Sequence, residues 1–182
     1  MRYSNVDKEK VNGVVYTPKT MAEYLAKEMV KYKAYNSCNT IRILDPAIGK
    51  GELVIALLNI IGSSYTQIEV VGYETDAKVC KETTAELLRL FPNIKVSIRN
   101  EDFLKAVEEH TTGLFDYVIA NPPYIRTQIM GSDKAQELSS KLGLSGRVDI
   151  YYAFIVCTNS VLKDDAIAGY ITSNKFLTIK SG

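Results

Sequence analysis

Asn121-Pro122-Pro123-Tyr124 is the stretch of this chain whose residue types and order define a chemistry most narrowly. It follows an apolar run, Tyr117-Val118-Ile119-Ala120, that reads as a buried strand. Neither Pro122 nor Pro123 can donate a backbone hydrogen bond, and the first of them pushes Asn121 out of the helical region. The expected result is a rigid turn with carbonyls aimed outward and an aromatic ring at its end. Such a turn suits methylation of an exocyclic amine, a poor nucleophile because its lone pair is delocalised into a ring. The Asn121 side-chain oxygen and the Pro122 carbonyl would accept hydrogen bonds from the two amine protons. That would draw the nitrogen towards tetrahedral geometry and favour the positive charge that develops on attack. Tyr124 would stack on the base, which has to be flipped out of a duplex to reach such a site.

A second turn could hold a cofactor. Asp45-Pro46-Ala47-Ile48-Gly49-Lys50-Gly51 lies between a predicted strand and a predicted helix, and its two glycines let the backbone turn tightly and approach a ligand. The spacing is not that of a phosphate-binding G-x-x-x-x-G-K-[S/T] loop. Glu74, at the end of the next predicted strand, is placed to accept hydrogen bonds from ribose hydroxyls. Asp76 reads as the N-cap of the following helix. After the third strand, Asp102 has two readings, an acceptor for an adenine amino group or another N-cap. Phe103 likewise reads as a ring packed on the base or as a core aromatic.

These residues need strands and helices to carry them. Five Ile- and Val-rich runs read as strands: Ile41–Leu44, Ile68–Tyr73, Lys95–Arg99, Tyr117–Ala120 and Ile167–Thr172. They are continuous rather than alternating, as expected when helices cover both faces of a parallel sheet. Helical patterns fill the gaps. Thr17, as N-cap, and Pro18 open a helix to about Tyr32, with Met21, Leu25 and Met29 on one face. Glu52–Ile60, Asp76–Leu90, Phe103–His110 and Ile150–Leu162 complete the set. Ile125–Val148 has no clear periodicity and reads as a functional loop. It carries Arg126, Lys134, Lys141 and Arg147 and is expected to be mobile near a phosphate backbone.

Composition narrows the class. The 182 residues suit one domain, with 46% hydrophobic and 24% charged residues. No apolar run reaches the roughly 20 residues of a membrane span, and Met1–Lys8 is polar, so a cytoplasmic location is expected. Cys38, Cys80 and Cys157 form neither a zinc pattern nor a disulfide set, and no metal is expected. A net charge of +1 argues against tight, autonomous binding to phosphates, though not against a DNA substrate held by another domain.

In the order of these motifs the chain resembles the γ-class DNA adenine-N6 methyltransferases of restriction–modification systems, from Gly13 to Leu177. Val15-Tyr16-Thr17-Pro18 looks like the segment that closes over the cofactor, and Asp45–Gly51 like the D-P-A-x-G-x-G turn. Glu74 matches the ribose-binding acid, Asp102-Phe103 the adenine-binding pair, and Asn121–Tyr124 the N-P-P-Y catalytic loop. Asp149-Ile150-Tyr151 with Phe154, and then Gly169–Leu177, look like the helix and strand that follow. The resemblance implies an α/β, doubly wound, mostly parallel sheet of the Rossmann-like S-adenosylmethionine-dependent methyltransferase type. It also implies S-adenosylmethionine as methyl donor, bound by Tyr16, Thr17, Asp45, Ala47, Gly49, Gly51, Glu74, Asp102, Phe103 and Asn121.

Two departures stand in the glycine turn: Ile48, which would crowd the methionine end of the cofactor, and Lys50, which would point to solvent. The family's sheet has seven strands, and this chain is expected to stop after the fifth, lacking the last two strands and the target-recognition domain. One catalytic core is therefore expected over 1–182: a cofactor-closing segment (1–40), the cofactor half and catalytic loop (41–124), the loop (125–148) and the last helix and strand (149–182). Double-stranded DNA would be held through the absent domain, and the exposed fifth strand would favour self-association. Glutamine-N5 methyltransferases of release factors also carry N-P-P-Y-I, and cytosine-N4 methylation or a non-catalytic cofactor-binding fragment are the other readings.

Overall fold

A computed structural model describes residues 17–32, 40–107, 113–123 and 150–172. Tyr16, Tyr124, Cys38, Asp149 and the Ile125–Val148 loop lie outside the described residues.

Five strands, β1 (Thr40–Asp45), β2 (Gln67–Tyr73), β3 (Lys95–Arg99), β4 (Phe115–Ala120) and β5 (Leu162–Tyr170), form one sheet in the order β3-β2-β1-β4-β5. Every pairing is parallel. Among the described residues five helices connect or flank them: α1 (Lys19–Lys31), α2 (Glu52–Ile61), α3 (Ala77–Leu90), α4 (Phe103–Ala106) and α5 (Ile150–Val161).

Alternate residues of the central strands feed two cores. Ile41, Ile43, Val70, Tyr117 and Ile119 pack with Ala22, Ala26, Met29, Leu53, Leu57 and Leu87 from α1, α2 and α3. Leu44, Val71 and Val118 pack on the other face with Phe103, Phe154, Cys157 and Val161 from α4 and α5. The two-residue period of a strand sends neighbours to opposite faces, so a sheet covered on both sides needs unbroken apolar runs. All six residues of β4 are buried for that reason. This is a Rossmann-like, doubly wound architecture.

Several boundaries differ from those expected. The first helix begins at Lys19, with Pro18 as its cap and no side-chain cap bond, so Thr17 is not its N-cap. Met21 is 45% exposed, and the buried stripe of α1 is Ala22, Ala26 and Met29. Small alanines bring α1 close to its neighbours, and Gly169 of β5 leaves room for the Met29 sulfur, where a Cβ would collide. The fifth strand starts at Leu162 rather than Ile167 and ends at Tyr170. The polar Lys163-Asp164-Asp165 falls between the expected helix and the expected strand. Pairing with β4 makes it strand, from Phe115 opposite Leu162 to Ala120 opposite Tyr170 with an irregularity between. Lys163 is also held there by Asp116, at 3.0 Å. The last helix accordingly stops at Val161. The short α4 ends at Ala106, and Val107 is already extended.

Among the described residues no helix is long and apolar enough to cross a membrane, and no group of three or more His, Cys, Asp or Glu could hold a metal ion. Cys80 and Cys157 are buried thiols.

Candidate active site

The strand order reverses between β1 and β4. From β1 the chain moves on to β2 on one side, and from β4 it moves on to β5 on the other. The connections diverge beyond the carboxyl ends of these two strands, the switch point at which doubly wound sheets form a ligand crevice. Asp45 is the last residue of β1, and Asn121 is the first after β4. The pairing of Leu44 with Val118 brings the two ends together.

Asp45 is 1% exposed, and its Oδ1 accepts the Ala47 N–H at 3.0 Å, which folds the turn back on its own start. Burial pushes the Asp45 carboxyl up to about 7; the Ala47 hydrogen bond works against that rise, and the negative charge of Glu74 adds to it. The Ile48 N–H donates to the Tyr73 carbonyl at 3.0 Å, and the Gly51 N–H to the Ile48 carbonyl at 2.8 Å. Gly49 and Gly51 have φ of +50° and +78°, in the left-handed region that favours glycine. Open space surrounds the position a Cβ of Gly49 would take, so the turn presents bare backbone there.

The Ile48 side chain does not enter the crevice. It is 4% exposed and lies in the core against Gly72, so the expectation that it crowds a ligand is corrected. Lys50 is exposed.

Glu74 is half-buried at the end of β2 and is tied down through its backbone. Its N–H donates to the Arg99 carbonyl, and its carbonyl accepts from Asn100 Nδ2, both at 3.0 Å. The Cys80 thiol also donates to that carbonyl at 3.3 Å. Its Oε1 accepts the Asp76 N–H at 2.8 Å and the Thr75 hydroxyl at 3.3 Å. Asp76 caps α3 through the N–H groups of Lys78 and Val79. Asp102 caps α4 through Leu104, at 3.0 Å. Of the two readings of Phe103, the packing supports the core aromatic. It is 2% exposed, edge-on to Tyr73 with centroids 5.2 Å apart and stacked on Phe154 at 5.7 Å. Beside Asp102 an open hollow of about 400 Å³ is lined by Thr75, Asn100, Glu101, Asp102, Lys105 and Ala106.

Beyond β4, Pro122 is buried and Pro123 half-buried. The Ile171 N–H donates to the Ala120 carbonyl at 2.9 Å, which holds the start of the turn against the segment after β5. Asn121 Nδ2 donates to Thr17 Oγ at 3.0 Å. The fold thus joins Thr17 to Asn121 and sets Asp45 near Glu74, while Asp102 sits at the end of the third strand beside its own hollow.

Two residues escaped the sequence reading. Asn100 braces Glu74, and Thr83 of α3 donates its hydroxyl to the Gly49 carbonyl at 2.6 Å. Thr83 did leave a signal: it lies with Cys80 and Leu87 on the buried stripe of α3, a polar residue where periodicity calls for an apolar one.

The chain matches the Eco57I restriction–modification methylase family over residues 20–182. It is 37% identical over 191 residues to the type II methyltransferase M.BanIII of Aneurinibacillus aneurinilyticus, covering 96% of this chain and 33% of that protein. Among solved structures it is similar to a protein of Listeria monocytogenes described as a class I S-adenosylmethionine-dependent methyltransferase. There the TM-score is 0.63 at 17% identity, over 90% of this chain and 47% of the other. The type I restriction–modification system methyltransferase subunit of Streptococcus thermophilus gives a TM-score of 0.62 at 19% identity, over 85% and 34%. The two structures share the fold. The chain spans about a third of the length of the curated relatives it matches. The match runs from α1 through β5 and includes both turns of the crevice, and this chain belongs to the Eco57I restriction–modification methylase family.

Proposed function

We propose that this chain is the catalytic core of a methyltransferase that carries the methyl group of S-adenosylmethionine to the N6 amine of a flipped-out adenine in DNA, within a restriction–modification system. The observation that carries the reading is the switch point between β1 and β4, where the glycine turn leaves one strand and Asn121-Pro122 leaves the other. The residues fit the cofactor: bare backbone at Gly49, the buried carboxyl of Asp45 and the carboxylate of Glu74 suit a ligand with a cationic end and ribose hydroxyls. S-adenosylmethionine supplies a methyl group already activated on a positively charged sulfur.

In this reading Asp45, Ala47, Gly49 and Gly51 hold the amino-acid end of the cofactor. Glu74 accepts from the ribose, and Asp102 borders the base, with Phe103 packed in the core behind it. Tyr16 and Thr17 close the site from the N-terminal side. Asn121 accepts a hydrogen bond from one N–H of the target amine through Oδ1, and the Pro122 carbonyl accepts one from the other. Both favour the charge that develops on nitrogen during attack. Pro123 stiffens the turn and Tyr124 stacks on the base. Binding to double-stranded DNA falls to a further domain of the complete enzyme, in keeping with the near-neutral charge of this chain.

The test is transfer of labelled methyl from S-adenosylmethionine to DNA, followed by digestion to nucleosides. Label should appear in N6-methyladenine, and Asn121→Ala should slow a single turnover by about 10²–10³. Label in N4-methylcytosine, or in a glutamine of a protein substrate, would replace the substrate assignment. Cofactor binding without transfer to any of these would leave a non-catalytic module.

A further inference from the structure

We propose that Thr17 is a positioning residue for methyl transfer: its hydroxyl accepts from the amino end of the Asn121 carboxamide and holds the group in place with its oxygen end left for the target amine. The inference rests on the reading of Asn121 as an acceptor for that amine. A carboxamide has one end that accepts and one that donates, and its terminal torsion is broad and roughly two-fold. Rotated by half a turn, Asn121 would offer the amine a donor and oppose the reaction. The prolines that follow fix the backbone and not this torsion. One contact that addresses it is Nδ2 to Thr17 Oγ1, 3.0 Å, between residues 104 positions apart.

The placement of Thr17 supports the role. A threonine just before a helix ordinarily spends its hydroxyl on a first-turn N–H. In α1 no side-chain cap bond forms, and the N–H groups of Met21 and Ala22 both go to the Pro18 carbonyl. The hydroxyl is directed to Asn121 instead. Its support is rigid: Ala22, Ala26 and Met29 bury α1, Met29 sits against Gly169 of β5, and β5 pairs with β4 up to Ala120. Both partners of the bond therefore hang on the same pair of strands, which is how a supporting group holds a reacting one to within a fraction of an ångström.

Thr17→Val keeps the shape and removes the hydroxyl; Thr17→Ser keeps the hydroxyl. Two readouts separate positioning from mere packing. In the ¹⁵N-labelled chain, the Asn121 side-chain NH₂ signals are identified by their loss in Asn121→Ala. Their exchange with water should quicken in Thr17→Val by up to about tenfold, the value of one ordinary hydrogen bond, and stay near wild type in Thr17→Ser. In methylation assays, Thr17→Val should lower kcat by about 10- to 100-fold, the range expected when a reacting group is misplaced, a larger factor than any rise in KM for S-adenosylmethionine, and Thr17→Ser should restore the rate. Wild-type exchange and kcat in Thr17→Val would overturn the proposal. So would a Ser variant as slow as Val, or a Val variant impaired chiefly in cofactor binding, which would make Thr17 a cofactor contact. Full methylation by Asn121→Ala would instead defeat the proposed role of Asn121 while leaving the amide-exchange result standing.

Discussion

Gly72 of β2 lies under Ile48 of the glycine turn so closely that a Cβ on residue 72 would sit 2.7 Å from Ile48 Cδ1 and 3.1 Å from its Cγ2. The missing side chain on the strand makes room for the branched one on the turn. Gly72 is also the register partner of Asp45, so this packing seats the turn directly beside the end of β1. Gly72→Ala should destabilise the protein by about 1–3 kcal/mol through overpacking, and adding Ile48→Ala should recover part of the loss. Urea unfolding of the two single variants and the double variant measures the coupling. Strictly additive effects would mean that the two side chains do not compete for one space.

The Thr83 hydroxyl bound to the Gly49 carbonyl ties the first strand-to-helix turn to α3, 34 residues further along. Thr83→Val keeps the methyl group that packs near Gly51 and removes the donor. The expected cost is about 1 kcal/mol in stability. If Gly49 borders the cofactor, S-adenosylmethionine should also bind several-fold more weakly, and Thr83→Ser should restore both quantities. Calorimetric titration of the three proteins decides it; equal affinities would confine Thr83 to a structural role.

Asp45 gives the free protein a pH dependence of definite sign. Its folded carboxyl titrates at about 7, against 3.8 as the ordinary value, chiefly because it is buried. Between those values the folded state holds a proton that the unfolded chain has released, so the Asp45 contribution to stability falls as pH rises from 4 to 7 and levels off above. The span corresponds to roughly 4 kcal/mol at most. Asp45→Asn should flatten that slope and leave the variant the more stable form at pH 8, as thermal melts across the range would read. If the cationic cofactor lies beside Asp45, as proposed, it favours the ionised form, so affinity should be about fivefold weaker at pH 6 than at pH 7 and gain about twofold above. Binding that is independent of pH, together with parallel melting profiles for wild type and Asp45→Asn, would show that Asp45 stays ionised throughout.

The parts of this fold that the sequence made legible are those set by local pattern. The Ile and Val runs of β1, β2 and β4 carry a two-sided sheet in their composition alone, and Asp76 announces a helix start by residue type, while Asp102 left two readings open. What stayed hidden is set by partners distant in the chain. Lys163-Asp164-Asp165 has no apolar strand pattern of its own, and Asp116 and the pairing edge of β4 make it strand. Thr17 looks like a helix cap until Asn121 takes its hydroxyl. Ile48 looks like an intrusion into the cofactor space because nothing local tells that Gly72 lies beneath it. The motif residues were visible because backbone-constraining types, prolines and glycines, mark them; the residues that brace them, Thr83 and Asn100, are ordinary types whose meaning is three-dimensional.

Asp116 tests whether the far end of β4 supports the fold separately from the site. It is 6% exposed, accepts the Arg42 N–H at 2.8 Å and holds Lys163 Nζ at 3.0 Å, all near the amino end of the strand whose carboxyl end leads to Asn121. Asp116→Ala leaves the Arg42 N–H without its acceptor and Lys163 without its counter-charge. Breaking a fully buried pair costs about 3–5 kcal/mol, and because the Lys163 side chain is 37% exposed and can turn to water, about 2–3 kcal/mol is expected. Asp116→Asn keeps an acceptor for Arg42 and should lose less. Both variants should bind S-adenosylmethionine at 20 °C with wild-type affinity per folded molecule, since the lost contacts lie a full strand length from the crevice. Chemical denaturation gives the first quantity and calorimetry the second. A large affinity loss in a well-folded Asp116→Asn would show that strain at one end of β4 reaches the other, and the support and the site would then have to be treated as one coupled unit.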